Sequence, residues 1–269
     1  MEPVLYEADS PGGLLNNANL IENYPGFPKG VSGVKMAGLL YQQLKSFGIT
    51  IRFERVSTLD YNEAEFRIVT EKSEHTYHRV ILASGTVPNE FNLGGLQELA
   101  GRQVFYEVKN LREIEGKRIA VVGGGDAAFD YALSLADANT VTIYNHSDRT
   151  SCLPLLYEKA VQKPAVFYKP NHSLTGIRSM GSELRLSWQC PDGEIQEEQD
   201  YLLIAIGRSP NLGFISERMR YRLDDLEAKR RIFVIGDVKN GLYRQMGIAV
   251  GDGIRAAMIL AEELKRATH

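Results

Sequence analysis

Cysteine is scarce: Cys152 and Cys190 are the only two in 269 residues. They stand 38 positions apart and make no C-x-x-C, so they supply neither a vicinal redox dithiol nor a zinc half-site. No metal site is expected from this composition. Sparse cysteine also fits a reducing, cytoplasmic setting. No apolar run approaches the ~18–20 residues needed to span a bilayer. A basic n-region followed by an apolar h-region, the mark of a signal peptide, is missing. Strong charge of either sign is missing too: the net charge is −3, which leaves no electrostatic footprint for nucleic acid or an anionic membrane. There is no low-complexity tract. What remains is an ordinary globular composition, 43% hydrophobic and 24% charged, in a chain long enough for one large domain or two ordinary ones.

The clearest local pattern is "KRIAVVGGGDAAFDYALSL" from Lys117 to Leu135. Arg118 to Val122 reads as an apolar, β-branched strand. Three glycines follow, and then Ala127, Ala128, Tyr131, Ala132 and Leu135 recur at helical spacing. A second strand, "TVTIYNH", begins at Thr140. Strand, glycine turn, helix, strand is the context that gives a G-x-G-x-x-A match meaning. Gly123 and Gly125 would permit a tight turn and close approach of backbone N–H groups to a pyrophosphate. Ala128 would let the helix pack close to the strand, and the helix N-terminus would favour the phosphates. A glycine turn that binds nothing is the plainer alternative. The acid expected on a ribose about 20 residues later is replaced by Tyr144-Asn145. Asn145 could still hydrogen-bond a ribose hydroxyl, and His146 or Arg149 could meet a 2′-phosphate.

Two stretches resemble each other, "YHRVILASG" (77–85) and "QDYLLIAIGRSPN" (199–211), and a third strand, "RRIFVIGDV" (230–238), ends on Gly236-Asp237. Each of the first two follows a segment that alternates like a small β-meander. The halves therefore share a plan, and the expected fold is α/β: two Rossmann-like, three-layer dinucleotide-binding domains, the second inserted into the first. Asp237 at a strand end could accept hydrogen bonds from a cofactor's hydroxyls, although a turn Asp is also unremarkable. Arg244-Gln245 precedes the last helical stretch, where the helix dipole mildly disfavours a cation.

Taken together, "PVLYEADSPGGLL", "IENYPGFPKGVSG", "VILASG", "KRIAVVGGGDAAFDYALSLA", "IAIGRSPN" and "RRIFVIGDVKNGLYRQMGIAVGDGIRAA" resemble the low-molecular-weight thioredoxin reductases and their relatives among FAD- and NAD(P)-dependent flavoproteins. The matching pieces run from end to end in the family's order. The resemblance implies an FAD-binding domain from residues 1–108 and 232–269, and an NAD(P)-binding domain over 109–231. It implies that Glu7 holds the FAD adenosine ribose, that Gly12, Gly13 and Leu14 line the FAD site, and that Asn23 lies near the flavin. Ala83, Ser84 and Gly85 would border the cofactor. Gly236-Asp237 would bind its ribityl or pyrophosphate region, and Arg244, Gln245 and Met246 would pack beside the isoalloxazine. Gly123, Gly125, Asp126 and Ala128 would form the phosphate turn for NADH or NADPH, with Asn145 at the ribose end. A cytoplasmic homodimer is the usual assembly.

Three departures qualify the resemblance. The family's redox C-x-x-C would fall between Gly101 and Lys117, where this chain reads "RQVFYEVKNLREIEG" without cysteine. A disulfide reductase needs a thiolate there, so the dithiol route to thioredoxin is excluded; Tyr106, Glu107 or Lys109 would face the flavin instead. The family's phosphate-selecting His-Arg-Arg aligns with Asn145-His146-Ser147, which removes the bidentate guanidinium contacts and puts NADPH preference in doubt. Relatives carry about 30 residues before this start, with the first strand and its glycine turn, so a longer native product or a truncated reading frame is expected, the alternative being that another chain or element fills the gap; as written, the chain is expected to bind FAD poorly, because the diphosphate cradle is absent. The leading expectation is a flavoprotein that moves electrons from NAD(P)H through FAD to an unknown non-dithiol acceptor, such as a ferredoxin or a quinone. No acid–base catalytic residue is required for hydride transfer. The alternatives are a non-catalytic nucleotide-binding or regulatory relative and a fragment of a flavoenzyme.

Overall fold

A computed structural model describes residues 2–267. Its central feature is a five-stranded, all-parallel sheet in the order Val166–Lys169, Thr140–Tyr144, Arg118–Val122, Tyr201–Ile204, Val104–Phe105. Parallel strands buried on both faces read as continuous apolar runs, and Ile119 to Val122 are all buried. Alternation then sorts them by face. Ile119 and Val121, with Val141, Ile143 and Leu203, pack under the helices Asp126–Leu135 and Pro154–Val161 through Ala128, Phe129, Ala132 and Ala160. Ala120 and Val122, with Tyr144, Leu202 and Ile204, pack on Leu184, Leu186 and Trp188. Those three belong to an antiparallel meander, Ser173–Met180, Glu183–Cys190 and Gly193–Gln199. Helices, parallel sheet and meander are the three layers expected from the sequence. Tyr144 stacks on Trp188 with ring centroids 3.7 Å apart and planes 8° apart, which ties the end of a sheet strand to the meander.

The second body repeats this plan on a smaller scale. Val4–Glu7 pairs in parallel with Thr50–Phe53, and Val80–Leu82 pairs in parallel with Ile232–Val234. The meander here is Val56–Tyr61, Phe66–Thr70 and Glu74–Tyr77. Helix Gly33–Ser46 starts at Ser32, whose hydroxyl accepts from the Lys35 N–H as a helix cap does. The long helix Met246–Ala267 ends the description. The core of this body joins Leu59, Phe66, Ile68 and Leu82 to Ile215, Met219, Leu226, Ile232 and Val234.

The chain passes between the bodies at one antiparallel pair, Thr86–Pro88 against Arg208–Pro210. Residues on either side commit early. Leu96, Val104 and Val108 already pack with the five-stranded sheet, while Ile215, Met219 and Leu226 pack with the second body. The divisions expected at 108 and 231 fall inside these packed stretches. No helix among the described residues is long and apolar enough to cross a membrane.

Candidate functional site

Two strand ends carry the expected FAD residues to one edge. Ile235 donates its N–H to Leu82 O at 3.0 Å, so Ala83–Gly85 and Gly236-Asp237 leave their parallel strands side by side. The C-terminal edge of parallel strands is where α/β folds bind ligands. Gly236 has φ +71°, a conformation that favours glycine. Its N–H is held by Asp252 Oδ2 at 3.0 Å, and Asp252 also accepts from Asn240 Nδ2 at 2.7 Å. These two donors hold the Asp252 carboxyl below the usual range. Asp252 thus fixes the Gly-Asp turn from sixteen residues away, a role the sequence reading missed although the residue stands in "VGDGIR".

Asp237 is half-buried, and burial pushes its carboxyl up against the opposing pull of Arg244 and Arg208. Among the described residues no hydrogen bond reaches that carboxylate. A half-buried acceptor without a donor fits the hydroxyl-rich part of a cofactor such as FAD. Ser84 and Asn211 clasp each other: the Ser84 hydroxyl donates to Asn211 O at 2.7 Å, and the Asn211 amide donates to Ser84 O at 3.3 Å. Glu7 closes the first strand and accepts the Asp9 N–H at 2.9 Å. Gly12 lies against helix Gly33–Ser46 with φ +105°; a Cβ there would come within 2.4 Å of the Ala37 Cβ. Gly13 and Leu14 open the short turn Gly13–Asn17.

The last segment reaches back to the first. The Asn23 amide donates to Gln245 Oε1 at 2.7 Å, Arg244 Nη1 donates to Arg208 O at 3.2 Å, and Met246 packs on the small cluster of Ile21, Val31 and Met36. Residues 17–19 meet the body of the five-stranded sheet: Lys109 N–H donates to Asn17 Oδ1 at 3.2 Å, Arg112 Nη2 to Ala18 O at 3.3 Å, and Asn19 N–H to Asp130 Oδ2 at 3.0 Å. None of the contacts of residues 17–19 was legible in the sequence, because they join residues 92, 94 and 111 positions apart.

At the place of the family's dithiol, Val104–Phe105 is a strand and Val108–Leu111 a single 3-10 turn. Lys109 is ion-paired with Asp9 and lies 3.6 Å from Glu107, while Glu107 meets Arg208 at 3.3 Å. Tyr106 packs toward the meander core. Cys152 and Cys190 are free and buried. Burial, with the Asp126 carboxylate nearby, pushes the Cys152 thiol up to about 12.

The glycine turn sits where the sequence placed it, between strand Arg118–Val122 and helix Asp126–Leu135, with Gly125 as the N-cap residue. Gly123 has φ +152°, and a Cβ on it would lie 2.3 Å from Ala205 O. Ala128 is fully buried beside it. Asp126 accepts the Leu153 N–H at 2.7 Å. Asn145 is only 2% exposed. Its Nδ2 donates to Arg149 O at 2.9 Å and to the Tyr168 hydroxyl at 3.1 Å, and its Oδ1 accepts the Ser147 N–H at 3.3 Å. His146 and Arg149 are exposed.

A family model described as pyridine nucleotide-disulphide oxidoreductase matches residues 2–253. The chain is 29% identical over 269 residues to a thioredoxin reductase of Treponema pallidum, covering 96% of this chain and 87% of that protein. It is also 29% identical over 272 residues to a bifunctional thioredoxin reductase/thioredoxin of Mycobacterium leprae, where 96% of this chain spans only 59% of that protein. Among solved structures, a thioredoxin reductase of Lactococcus lactis superposes with a TM-score of 0.85 at 24% identity, over 97% of this chain and 90% of that one. That likeness shows the two-domain, Rossmann-type fold.

Proposed function

The chain belongs to the pyridine nucleotide-disulphide oxidoreductase family, and from that membership we propose that it is an FAD-dependent oxidoreductase that takes electrons from NADH and delivers them to an acceptor other than a dithiol, such as a ferredoxin, a quinone or oxygen. The observation that carries the reading is the segment 104–111. It holds no cysteine, and its charged side chains are committed to Asp9 and Arg208. With both thiols of the chain buried elsewhere, no pair is placed to exchange with a disulfide.

When bound, FAD would supply the two-electron chemistry, accepting hydride from the nicotinamide and releasing electrons to the acceptor. The chain's part is to hold and orient. Asp237 would accept hydrogen bonds from FAD hydroxyls, Glu7 from its adenosine ribose. Gly12, Gly13 and Leu14 would form one wall, Ala83–Gly85 and Gly236 another, and Arg244, Gln245, Met246 and Asn23 the flavin end. Gly123, Gly125, Asp126 and Ala128 would seat the dinucleotide phosphates. The FAD part would comprise the segments before Thr86–Pro88 and after Arg208–Pro210, and the nicotinamide part the residues between. A cytoplasmic homodimer belongs to the same proposal. NADH is favoured over NADPH because no guanidinium pair stands at 145–147 to take a 2′-phosphate.

The test is a spectrum of the FAD-supplemented protein, followed by turnover with NADH or NADPH against ferredoxin, a soluble quinone, oxygen and thioredoxin. Flavin bands, faster turnover with NADH and no thioredoxin reduction are expected. A colourless preparation would instead favour a non-catalytic nucleotide-binding relative or a fragment of a flavoenzyme.

A further inference from the structure

The middle glycine of the turn raises a separate question. Gly123 needs its conformation, but Gly124 is not among the residues with positive φ. Space, not conformation, excludes a side chain there. A Cβ on Gly124 would lie 2.6 Å from Asn145 Oδ1 and 2.7 Å from both Asn145 Cγ and Nδ2. The carboxamide of Asn145 fills the volume that Gly124 leaves.

That carboxamide makes three hydrogen bonds within the protein. Both of its protons are used, one by Arg149 O and one by the Tyr168 hydroxyl, and its oxygen takes the Ser147 N–H. The Asn145 backbone is fixed as well: its N–H donates to Lys169 O at 3.0 Å and its carbonyl accepts from His172 N at 2.8 Å. The far end of the loop returns to the same glycine, where Ser151 N–H donates to Gly124 O at 2.9 Å. Gly124, Asn145, Arg149 and Ser151 therefore close a circuit. The circuit ties loop 145–151 to the glycine turn at the C-terminal edge of two adjacent parallel strands, where dinucleotides bind in such sheets. His146, Asp148, Arg149 and Ser151 are exposed, so between Asn145 and Cys152 the loop sinks little side chain into the core, and its order comes from these hydrogen bonds.

We propose that Asn145 is a positioning residue for the nicotinamide nucleotide, acting by locking loop 145–151 onto Gly124 and touching no part of the ligand. Both amide protons are spent inside the protein, and with the residue only 2% exposed its oxygen is not presented to a ribose hydroxyl either. The inference rests on the assignment of the 123–128 turn to the nicotinamide nucleotide. Because the loop as a whole is held, its loosening weakens NADH and NADPH by the same factor.

The test is a double-mutant cycle on the full chain with Gly124→Ala, Asn145→Ala and the combined variant. Kd for NADH and for NADPH is read by calorimetry, and Tm is read on the same samples. Each single change is expected to weaken both nucleotides about tenfold. The combined variant, in which the added methyl meets the space vacated by the amide, is expected to bind more tightly than the product of the single losses and to regain Tm. Tyr168→Phe removes one partner of the amide while keeping a ring that packs on Phe129 and Tyr157. It is expected to weaken both nucleotides by about two- to fivefold, and it serves even where Gly124→Ala fails to fold. Rescue of that folding by Asn145→Ala also supports the coupling. Additive losses in both Kd and Tm overturn the proposal, as does a nucleotide Kd indifferent to Asn145→Ala and Tyr168→Phe. A selective loss of one nucleotide overturns it in favour of direct contact. Parent protein that binds neither nucleotide contradicts the assignment of the turn itself, and the inference falls with it.

Discussion

Asn23 and Gln245 are 222 positions apart in the chain, yet the Asn23 amide donates a 2.7 Å hydrogen bond to Gln245 Oε1. This contact joins the first segment to the last at the edge proposed for the flavin. Beside it, Met246 seals the cluster of Ile21, Val31 and Met36. A side-chain hydrogen bond between exposed residues adds little to global stability, so its value lies in fixing two loops about one ligand. Gln245→Ala is expected to raise the Kd for FAD by about two- to tenfold, one modest hydrogen bond's worth, with NADH affinity unchanged. Quenching of flavin fluorescence on titration measures it.

The turn that presents Asp237 depends on Asp252. Its carboxylate takes the Gly236 N–H and the Asn240 amide, and charge-assisted bonds of this kind are the stronger ones. Asp252→Ala is expected to lower stability by about 1–3 kcal/mol and to weaken FAD more than NADH. The Asp252 carboxyl is held low, so its contribution is present above the ordinary carboxylate range and is lost as pH falls through the depressed folded value. Urea titrations of parent and variant at neutral and acid pH, converging as pH falls, check this.

Asp130 behaves in the opposite sense. It accepts the Asn19 N–H across the two bodies, but burial dominates and pushes its carboxyl from the ordinary 3.8 up to about 6. A raised carboxyl means that the ionised form is less welcome in the folded protein. The contribution to stability is therefore full below about pH 4 and is lost as pH rises through about 6. Asp130→Asn keeps an acceptor for Asn19 and removes the charge. Its Tm relative to the parent should rise between pH 4 and pH 7 and then level off. A difference that does not change with pH contradicts the assignment.

Cys152 offers a chemical check on the non-dithiol reading. With its thiol pushed up to about 12, roughly one molecule in 10,000 carries the thiolate at pH 8, and reactivity follows the thiolate. Native protein is expected to give no fast reaction with a thiol-specific chromogenic disulfide, and denatured protein to give two equivalents, one for each cysteine. A thiol that reacts rapidly in the native state would reopen a cysteine-based route.

Much of this architecture was legible along the chain because it is local. Ile119 to Val122 form an uninterrupted apolar run before three glycines, and the run is buried on both faces as such runs are. The Gly-Asp ending of the strand near Val234 was legible for the same reason. Asn145 was not. Strand-end counting put it where a ribose ligand belongs, but no periodicity tells which way a residue turns just after a strand buried on both faces, and it turns inward toward Gly124. The passage between the two bodies was equally hidden. Leu96 and Ile215 are ordinary apolar residues, and only packing shows that they commit on opposite sides of the Thr86–Pro88 and Arg208–Pro210 pair. Asp252, Asn19 and Asp130 act through partners twelve or more positions away, beyond the reach of any local pattern.

In the proposed reaction electrons stop at FAD before they leave, with no dithiol between. Anaerobic titration of the FAD-loaded protein with NADH, followed through the flavin absorption band, tests it most directly. The expected endpoint is about one equivalent of NADH per FAD, the capacity of a single two-electron carrier. An endpoint near two equivalents would reveal a second two-electron acceptor in the protein and contradict it.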